Sequence, residues 1–235
     1  MTRYLRLGAL AGLAGGLASG LFLALLGERS INDAIALERA DQTGPHEEVF
    51  SRGVQQVGDV LGVGIVGICL GVVFAVVFVA VRHRLAGSDD WRRSAQLTAV
   101  AFFSITLVPF LKYPGNPPAV GDPDTITERT VLFAIMLAWS CVATFAAYRL
   151  SLHLRERHTP DARRLPAVGA LYVALVAAAL LLLPASPDSV EAPANLIWRF
   201  RTASLGGSAL FWSVLGAVFG WLLVRAPRRA AIAHT

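Results

Sequence analysis

The chain has 235 residues, of which 55% are hydrophobic and 16% are charged, and its formal net charge is +5 at pH 7. Soluble domains carry about 25% charged residues, so this composition excludes an ordinary soluble domain. The apolar residues also lie in long blocks, and blocks of about 18 or more residues are typical of membrane-spanning helices. The sequence therefore predicts an all-α integral membrane protein.

Six apolar blocks follow one another along the chain. The first follows two arginines, as in a secretory signal, but it is longer than a signal core and lacks a small-x-small cleavage site. The third and fifth are near the shortest length that crosses a bilayer, so five spans are the fallback. We expect a single polytopic membrane domain over residues 1–235, with spans at 7–26, 57–81, 95–111, 130–150, 166–183 and 205–224.

The loops between these blocks predict the orientation of the chain. Two thirds of the 21 Lys and Arg residues lie on the side that holds both termini. Loops rich in these residues stay in the cytoplasm, so we expect both termini there. The external loops are then 27–56, 112–129 and 184–204, in which acids outnumber bases. Because the arginines act as topology signals, we expect no nucleic-acid partner.

Glycines recur at every fourth position on three of the predicted spans. Such patterns place the glycines on one helix face and let two helix backbones approach closely inside a bilayer. The sequence therefore predicts a glycine-packed bundle. The glycines are Gly8, Gly12, Gly16 and Gly20 in the first span, Gly58, Gly62, Gly67 and Gly71 in the second, and Gly216 and Gly220 in the sixth.

The stretch "VPFLKYPGNPPAVGDPDT", residues 108–125, leads from the third span into the second external loop. Lys112, the only lysine of the chain, and Tyr113 are typical of the membrane interface. The four prolines that follow them restrict the backbone and disfavour helix. We expect this loop to form a rigid external cap. The alternative is an exposed connector whose prolines only end two helices.

Both ends of the predicted cap offer anchors. Thr125 and Glu128 have the spacing of a capping box, in which each side chain accepts a hydrogen bond from a backbone N–H at the start of a helix. At the other end, we expect Lys112 to pair with Asp122 or Asp124 and so hold the loop down.

Five segments resemble the CbtA-type subunits of cobalt transporters: "GERSINDAIALE" (27–38), "SRGVQ" (51–55), "VPFLKYPGNPPAVGDPDTI" (108–126), "RT" (129–130) and "WRFRTASLG" (198–206). The resemblance implies a multi-pass subunit of a cobalt, or divalent metal cation, uptake transporter in the bacterial cell membrane, linked to cobalamin supply. It also implies a small one-span, histidine-rich CbtB-type partner. Family members are often described with five spans, whereas we count six. The residues that we expect to form a structural motif are Lys112, Tyr113, Pro114, Asn116, Pro117, Pro118, Arg129, Trp198, Arg199 and Arg201.

Carboxylates and one imidazole are the candidates to bind the transported cobalt ion, because a divalent transition metal accepts both kinds of ligand. No cluster alone completes a coordination sphere, so solvated acids remain the alternative explanation. The candidate ligands are Glu28, His46, Glu47, Glu48, Asp59, Asp122 and Asp124.

Asp59 lies about one turn inside the second span, where a charge costs several kcal/mol unless it is paired or hydrated. One interpretation is a structural ion-pair network that includes Arg199 and Arg201 at the start of the sixth span. The other interpretation is a cation path that uses Asp59 and Glu28.

No zinc-protease, nucleophile-elbow or P-loop motif occurs in the sequence, so we expect no enzymatic activity and no resident cofactor. The competing function is a non-transporting membrane scaffold, or assembly subunit, that binds the small partner protein. Cobalt uptake measured with and without that partner separates the two functions.

Overall fold

The computed structural model describes residues 1–27, 52–85, 87–117, 120–188 and 192–225, without the side chain of Arg52. Over these ranges the chain forms helices and no strand. π-Helical turns continue the first helix through Leu23–Gly27 and join the third helix to the fourth at Phe102–Leu107, and the 3-10 turn Pro123–Thr125 leads into the fifth. The α-helices are α1 (Thr2–Phe22), α2 (Arg52–Val81), α3 (Asp90–Ala101), α4 (Val108–Lys112), α5 (Ile126–Glu156), α6 (Asp161–Leu182) and α7 (Ala194–Arg225).

Six helical segments in the described ranges are long and apolar enough to cross a membrane, which confirms the prediction of six such helices. Many large apolar side chains on them are exposed, as is expected of surfaces that face lipid; Leu181 is 83% exposed and Leu25 is 76% exposed. The segments are Thr2–Gly27, Gly53–Val81, Asp90–Lys112, Pro123–Glu156, Asp161–Leu182 and Ala194–Arg225.

The helices form two compact units. Unit 1 consists of the described residues of 1–101 and 202–235, and unit 2 consists of those of 102–201. Unit 1 therefore holds α1, α2, α3 and most of α7. Unit 2 holds α4, α5, α6 and the first two turns of α7.

In unit 1, α1 and α2 approach each other closely along their glycines. A Cβ atom added to Gly12 would overlap the carbonyl oxygen of Gly67, and one added to Gly16 would lie 2.5 Å from the carbonyl oxygen of Val63. Side chains larger than hydrogen therefore do not fit at these positions without moving a backbone. Gly58 and Gly62 differ, because no described atom lies within 4 Å of a Cβ placed there. These two glycines take no part in the contact.

Unit 1 also joins α7 to α2 and α3. The ring of Phe219 meets Phe74 and Phe78 edge to face, with centroids 5.4 and 5.2 Å apart. The hydroxyl of Ser94, which is fully buried, donates a hydrogen bond to the carbonyl oxygen of Gly216 over 2.8 Å. Aromatic packing and a buried hydrogen bond therefore hold α7 in place.

In unit 2, α5 and α6 form the central pair of helices. The indole N–H of Trp139 donates to the carbonyl oxygen of Leu175 over 2.8 Å. The buried core of this unit contains Val108 and Tyr113 as well as Met136 and Ala179 from the two helices. This core places the end of α4 against α5 and α6, and it thereby fixes where the proline-rich loop begins.

Candidate functional site

The proline-rich loop is attached to the end of α6 by its first two residues. The ammonium group of Lys112 donates to the carbonyl oxygen of Leu180 over 2.8 Å. In a continuous helix this carbonyl would accept from the N–H four residues later, but that residue is Pro184, which has none. The prediction that Lys112 pairs with Asp122 or Asp124 is wrong, because the ammonium group is held at the Leu180 carbonyl and makes no ion pair with either aspartate, both of which the structure describes.

Tyr113 makes the second attachment to the same chain segment. Its hydroxyl donates to the carbonyl oxygen of Pro184 over 2.7 Å, and its side chain is buried. Burial raises the pKa of the Tyr113 phenol above its usual value, because the charged form would lose its hydration. The phenol therefore stays protonated and keeps its role as a hydrogen-bond donor at neutral pH.

The carboxylate of Asp188 is the centre of the polar contacts in unit 2. Its side chain is only 1% exposed. One oxygen, Oδ2, accepts from Nη1 of Arg129 over 2.6 Å and from Nδ2 of Asn116 over 2.8 Å. The other, Oδ1, accepts from the backbone N–H of Asp122 over 2.8 Å. A buried carboxylate is stable only when it is paired in this way.

Two arginines connect this centre to the surrounding backbone. Nη2 of Arg201, at the start of α7, donates to Oδ1 of Asn116 over 2.8 Å, and Nε of Arg201 donates to the carbonyl oxygen of Gly115 over 3.3 Å. Nη2 of Arg129 donates to the carbonyl oxygen of Asp122 over 3.3 Å. The starts of α5 and α7 are thus tied to the proline-rich loop between α4 and α5.

Gly121 allows the loop to reach Asp188. Its φ angle is +110°, a conformation that residues with a side chain rarely adopt. A Cβ atom at this position would also lie 2.5 Å from Oδ2 of Asp188. Both the backbone conformation and the close approach therefore require glycine.

The start of α5 differs from the predicted capping box. The side chain of Thr125 caps no backbone N–H; its hydroxyl instead donates to the carbonyl oxygen of Asp122 over 2.8 Å. Asp122 is the capping residue, since its Oδ1 accepts from the backbone N–H of Asp124 over 2.9 Å. The predicted pair of Thr125 and Glu128 is wrong because the 3-10 turn Pro123–Thr125 moves the first helical turn towards the N-terminus.

We call this set of contacts the latch, formed by Lys112, Tyr113, Asn116, Arg129, Asp188 and Arg201. The structural motif that was predicted from the sequence contains five of these six residues and lacks Asp188. The partners of Asp188 lie 59, 66 and 72 residues away, so no local pattern connects them. Its only signal in the sequence is its position in the third predicted external loop.

Among the other motif residues, Pro117 is fully buried, Pro114 and Arg199 are half-buried, Trp198 is 69% exposed, and Pro118 lies outside the described residues.

The candidate cobalt ligands do not form a cluster in the described part of the chain. There, no group of three or more His, Cys, Asp or Glu residues could hold a metal ion. Asp59, on α2, and both Asp122 and Asp124 are exposed. Cobalt binding at any of the candidates stays a prediction. Those that lie outside the described residues are Glu28, His46, Glu47 and Glu48.

The six apolar helices define a multi-pass membrane protein built from α-helices. A family model described as "Probable cobalt transporter subunit (CbtA)" matches residues 1–224, and the chain therefore belongs to the CbtA family. The word subunit in that description implies that the protein works with a partner subunit in a membrane. Searches of curated proteins and of solved structures found no match.

Proposed function

We propose that the chain is the membrane-spanning subunit of a cobalt uptake transporter linked to cobalamin supply. The observation that carries this proposal is the family match over residues 1–224. The six helices that are able to span a membrane agree with it. Within the proposal, the protein lies in the bacterial cell membrane with both termini in the cytoplasm, and its helices pack through their glycines. Its partner is a small one-span, histidine-rich CbtB-type subunit.

In this transporter the latch has a structural role. Its one carboxylate, on Asp188, already accepts three hydrogen bonds, one of them from the guanidinium group of Arg129. A divalent cation at this carboxylate would have to displace a positive charge at 2.6 Å. We therefore assign the latch to the fixation of the proline-rich loop and not to cobalt binding.

Asp59 is our first candidate for a contact with the transported ion. It lies in the span Gly53–Val81, and its side chain is exposed in the described structure. A carboxylate inside a membrane is costly unless it is paired or hydrated, and such residues commonly mark ion pathways. The exposed carboxylates of Asp122 and Asp124 are candidates for the attraction of cations at the start of α5.

Uptake of cobalt-57 by intact cells tests the proposal. Cells would express this chain alone, the partner alone, or both, with the amount of folded protein measured in each case. We expect cobalt accumulation with both subunits and a clear loss with Asp59→Asn at an unchanged amount of protein. The control is Glu156→Gln, which removes an exposed carboxylate at the end of α5.

Two outcomes would contradict the proposal. Absence of cobalt accumulation in every combination, with both subunits folded in the membrane, would exclude cobalt uptake. Full accumulation by the partner alone, with this chain changing only the amount of partner, would support the scaffold function instead.

A further inference from the structure

A pocket of about 510 Å³ opens beside the latch, within unit 2. Its polar walls include Asn116, Arg129, Ser186 and Arg201. The carboxylate of Asp188 also reaches this pocket, but its three hydrogen bonds leave it little capacity to accept another. The polar side of the pocket is therefore dominated by hydrogen-bond donors.

Two guanidinium groups line the pocket, and Asp188 neutralises one of them. Arg201 makes its two hydrogen bonds to neutral oxygens, and it has no carboxylate partner among the residues that the structure describes. Its Nη1 makes no hydrogen bond to any residue that the structure describes. Nε of Arg129 is also buried without a hydrogen-bond partner among these residues. The pocket thus holds unused donors and an excess of one positive charge.

This donor set fits an oxyanion. Guanidinium groups bind phosphate through charge-assisted, often paired hydrogen bonds, and they form such bonds more readily than ammonium groups do. A metal cation would be repelled by Arg201, and it would find no free carboxylate among the described residues that line the pocket. The chemistry of the pocket therefore favours a phosphate group.

An apolar stripe leads away from the same pocket along α5. Ile126 and Phe133 both line the pocket, and they lie seven residues apart on one face of the helix. Their side chains are 55% and 40% exposed. The segment Pro123–Glu156 is one of the six that are able to span a membrane, so this stripe offers a surface for an acyl chain.

We propose that this pocket binds the phosphate group of a membrane phospholipid. The headgroup phosphate lies against Arg201 and Arg129, and an acyl chain follows Ile126 and Phe133. The inference is independent of cobalt transport. It would give the latch a second task, since Arg201 would connect a lipid to the proline-rich loop through Asn116.

Native mass spectrometry of the purified, delipidated full-length protein in detergent tests this site. The protein would be titrated with phosphatidylglycerol and with a diacylglycerol that has the same acyl chains and no phosphate. We expect phosphatidylglycerol to bind at least about tenfold more tightly, as loss of a charge-assisted contact predicts. Equal binding of the two lipids would overturn the proposal. Inorganic phosphate that binds as tightly as phosphatidylglycerol would support phosphate recognition and exclude a lipid as its source.

Variants locate the binding to this pocket. Arg201→Gln should weaken phosphatidylglycerol binding about tenfold, whereas Arg225→Gln, the same change at the other end of α7, should not. Because Arg201 also supports Asn116, a second variant leaves the latch contacts intact. Ile126→Glu places a negative charge at an exposed position on the pocket wall and should weaken binding by a similar factor. Wild-type affinity in Ile126→Glu, or in a folded Arg201→Gln protein, would refute the site.

Discussion

Replacement of Asp188 by asparagine tests whether the latch stabilises the protein. The substitution keeps the shape of the side chain, but it removes the negative charge and converts one acceptor oxygen into an NH₂ donor. In the structure both oxygens accept hydrogen bonds, from Arg129, Asn116 and the backbone N–H of Asp122. The NH₂ group of the asparagine must therefore face at least one of these N–H donors, with which it cannot form a hydrogen bond. Arg129 also loses its ion pair.

The size of the effect follows from the burial of the two partners. Removal of one member of a fully buried ion pair costs about 3–5 kcal/mol. The Asp188 side chain is 1% exposed, but that of Arg129 is 26% exposed, so water compensates part of the loss. We expect the free energy of unfolding to fall by about 2–4 kcal/mol, the range for one or two hydrogen bonds to a charged group. At about 2–4 °C per kcal/mol, the melting temperature should fall by about 5–15 °C.

Thermal unfolding of the purified protein in detergent, followed by tryptophan fluorescence, measures this change. The matched control is Asp124→Asn, which alters an exposed carboxylate in the 3-10 turn that leads into α5. The control should shift the melting temperature by at most about 4 °C, because exposed charges near a helix end contribute about 0.3–1 kcal/mol. If both variants melt at the same temperature, the latch does not stabilise the protein and the argument is refuted.

Three other predictions concern the helix contacts, the loop and the topology. Gly12→Ala should destabilise the protein by about 1–3 kcal/mol, whereas Gly62→Ala should be neutral or stabilise it by up to about 1 kcal/mol; equal melting temperatures would show that α1 and α2 do not meet at Gly12. The amide of Asp122 donates to the buried carboxylate of Asp188, so its hydrogen exchange should be slow in the wild type and fast in Asp188→Ala, which removes the acceptor, and an unchanged rate would contradict the contact. A reporter at residue 120 should be external and one at residue 158 cytoplasmic, and the opposite labelling at either position would exclude the proposed topology.

The membrane helices were predictable from the sequence because a bilayer requires long apolar runs. The helices extend beyond those runs. The sixth apolar block was predicted at 205–224, but its helix begins at Ala194. Charged residues such as Arg199 can extend a helix beyond the apolar layer of the membrane. Hydropathy therefore predicts the apolar part of a membrane helix but not the residues at which the helix begins and ends.

The latch was predictable only in part. The sequence marked Lys112 and Tyr113 as anchors of the loop, but the partner predicted for Lys112 was wrong and none was predicted for Tyr113. The partner of Lys112 is a backbone carbonyl in the last turn of α6, which ends at Leu182, and Pro184 has no N–H to bind it. Periodicity and spacing describe neighbours within one element, whereas Asp188 meets residues from the proline-rich loop and from α5. Such contacts depend on how the helices pack.

Cobalt entry into liposomes that contain the purified chain and its partner subunit tests the central claim most directly. Cobalt-57 inside the liposomes would be measured over time, with protein-free liposomes and the Glu156→Gln variant as controls. We predict accumulation with the wild-type pair and with Glu156→Gln, and a clear loss with Asp59→Asn. Cobalt entry no faster than in protein-free liposomes, with both subunits folded and inserted, would contradict the assignment of this chain to cobalt uptake.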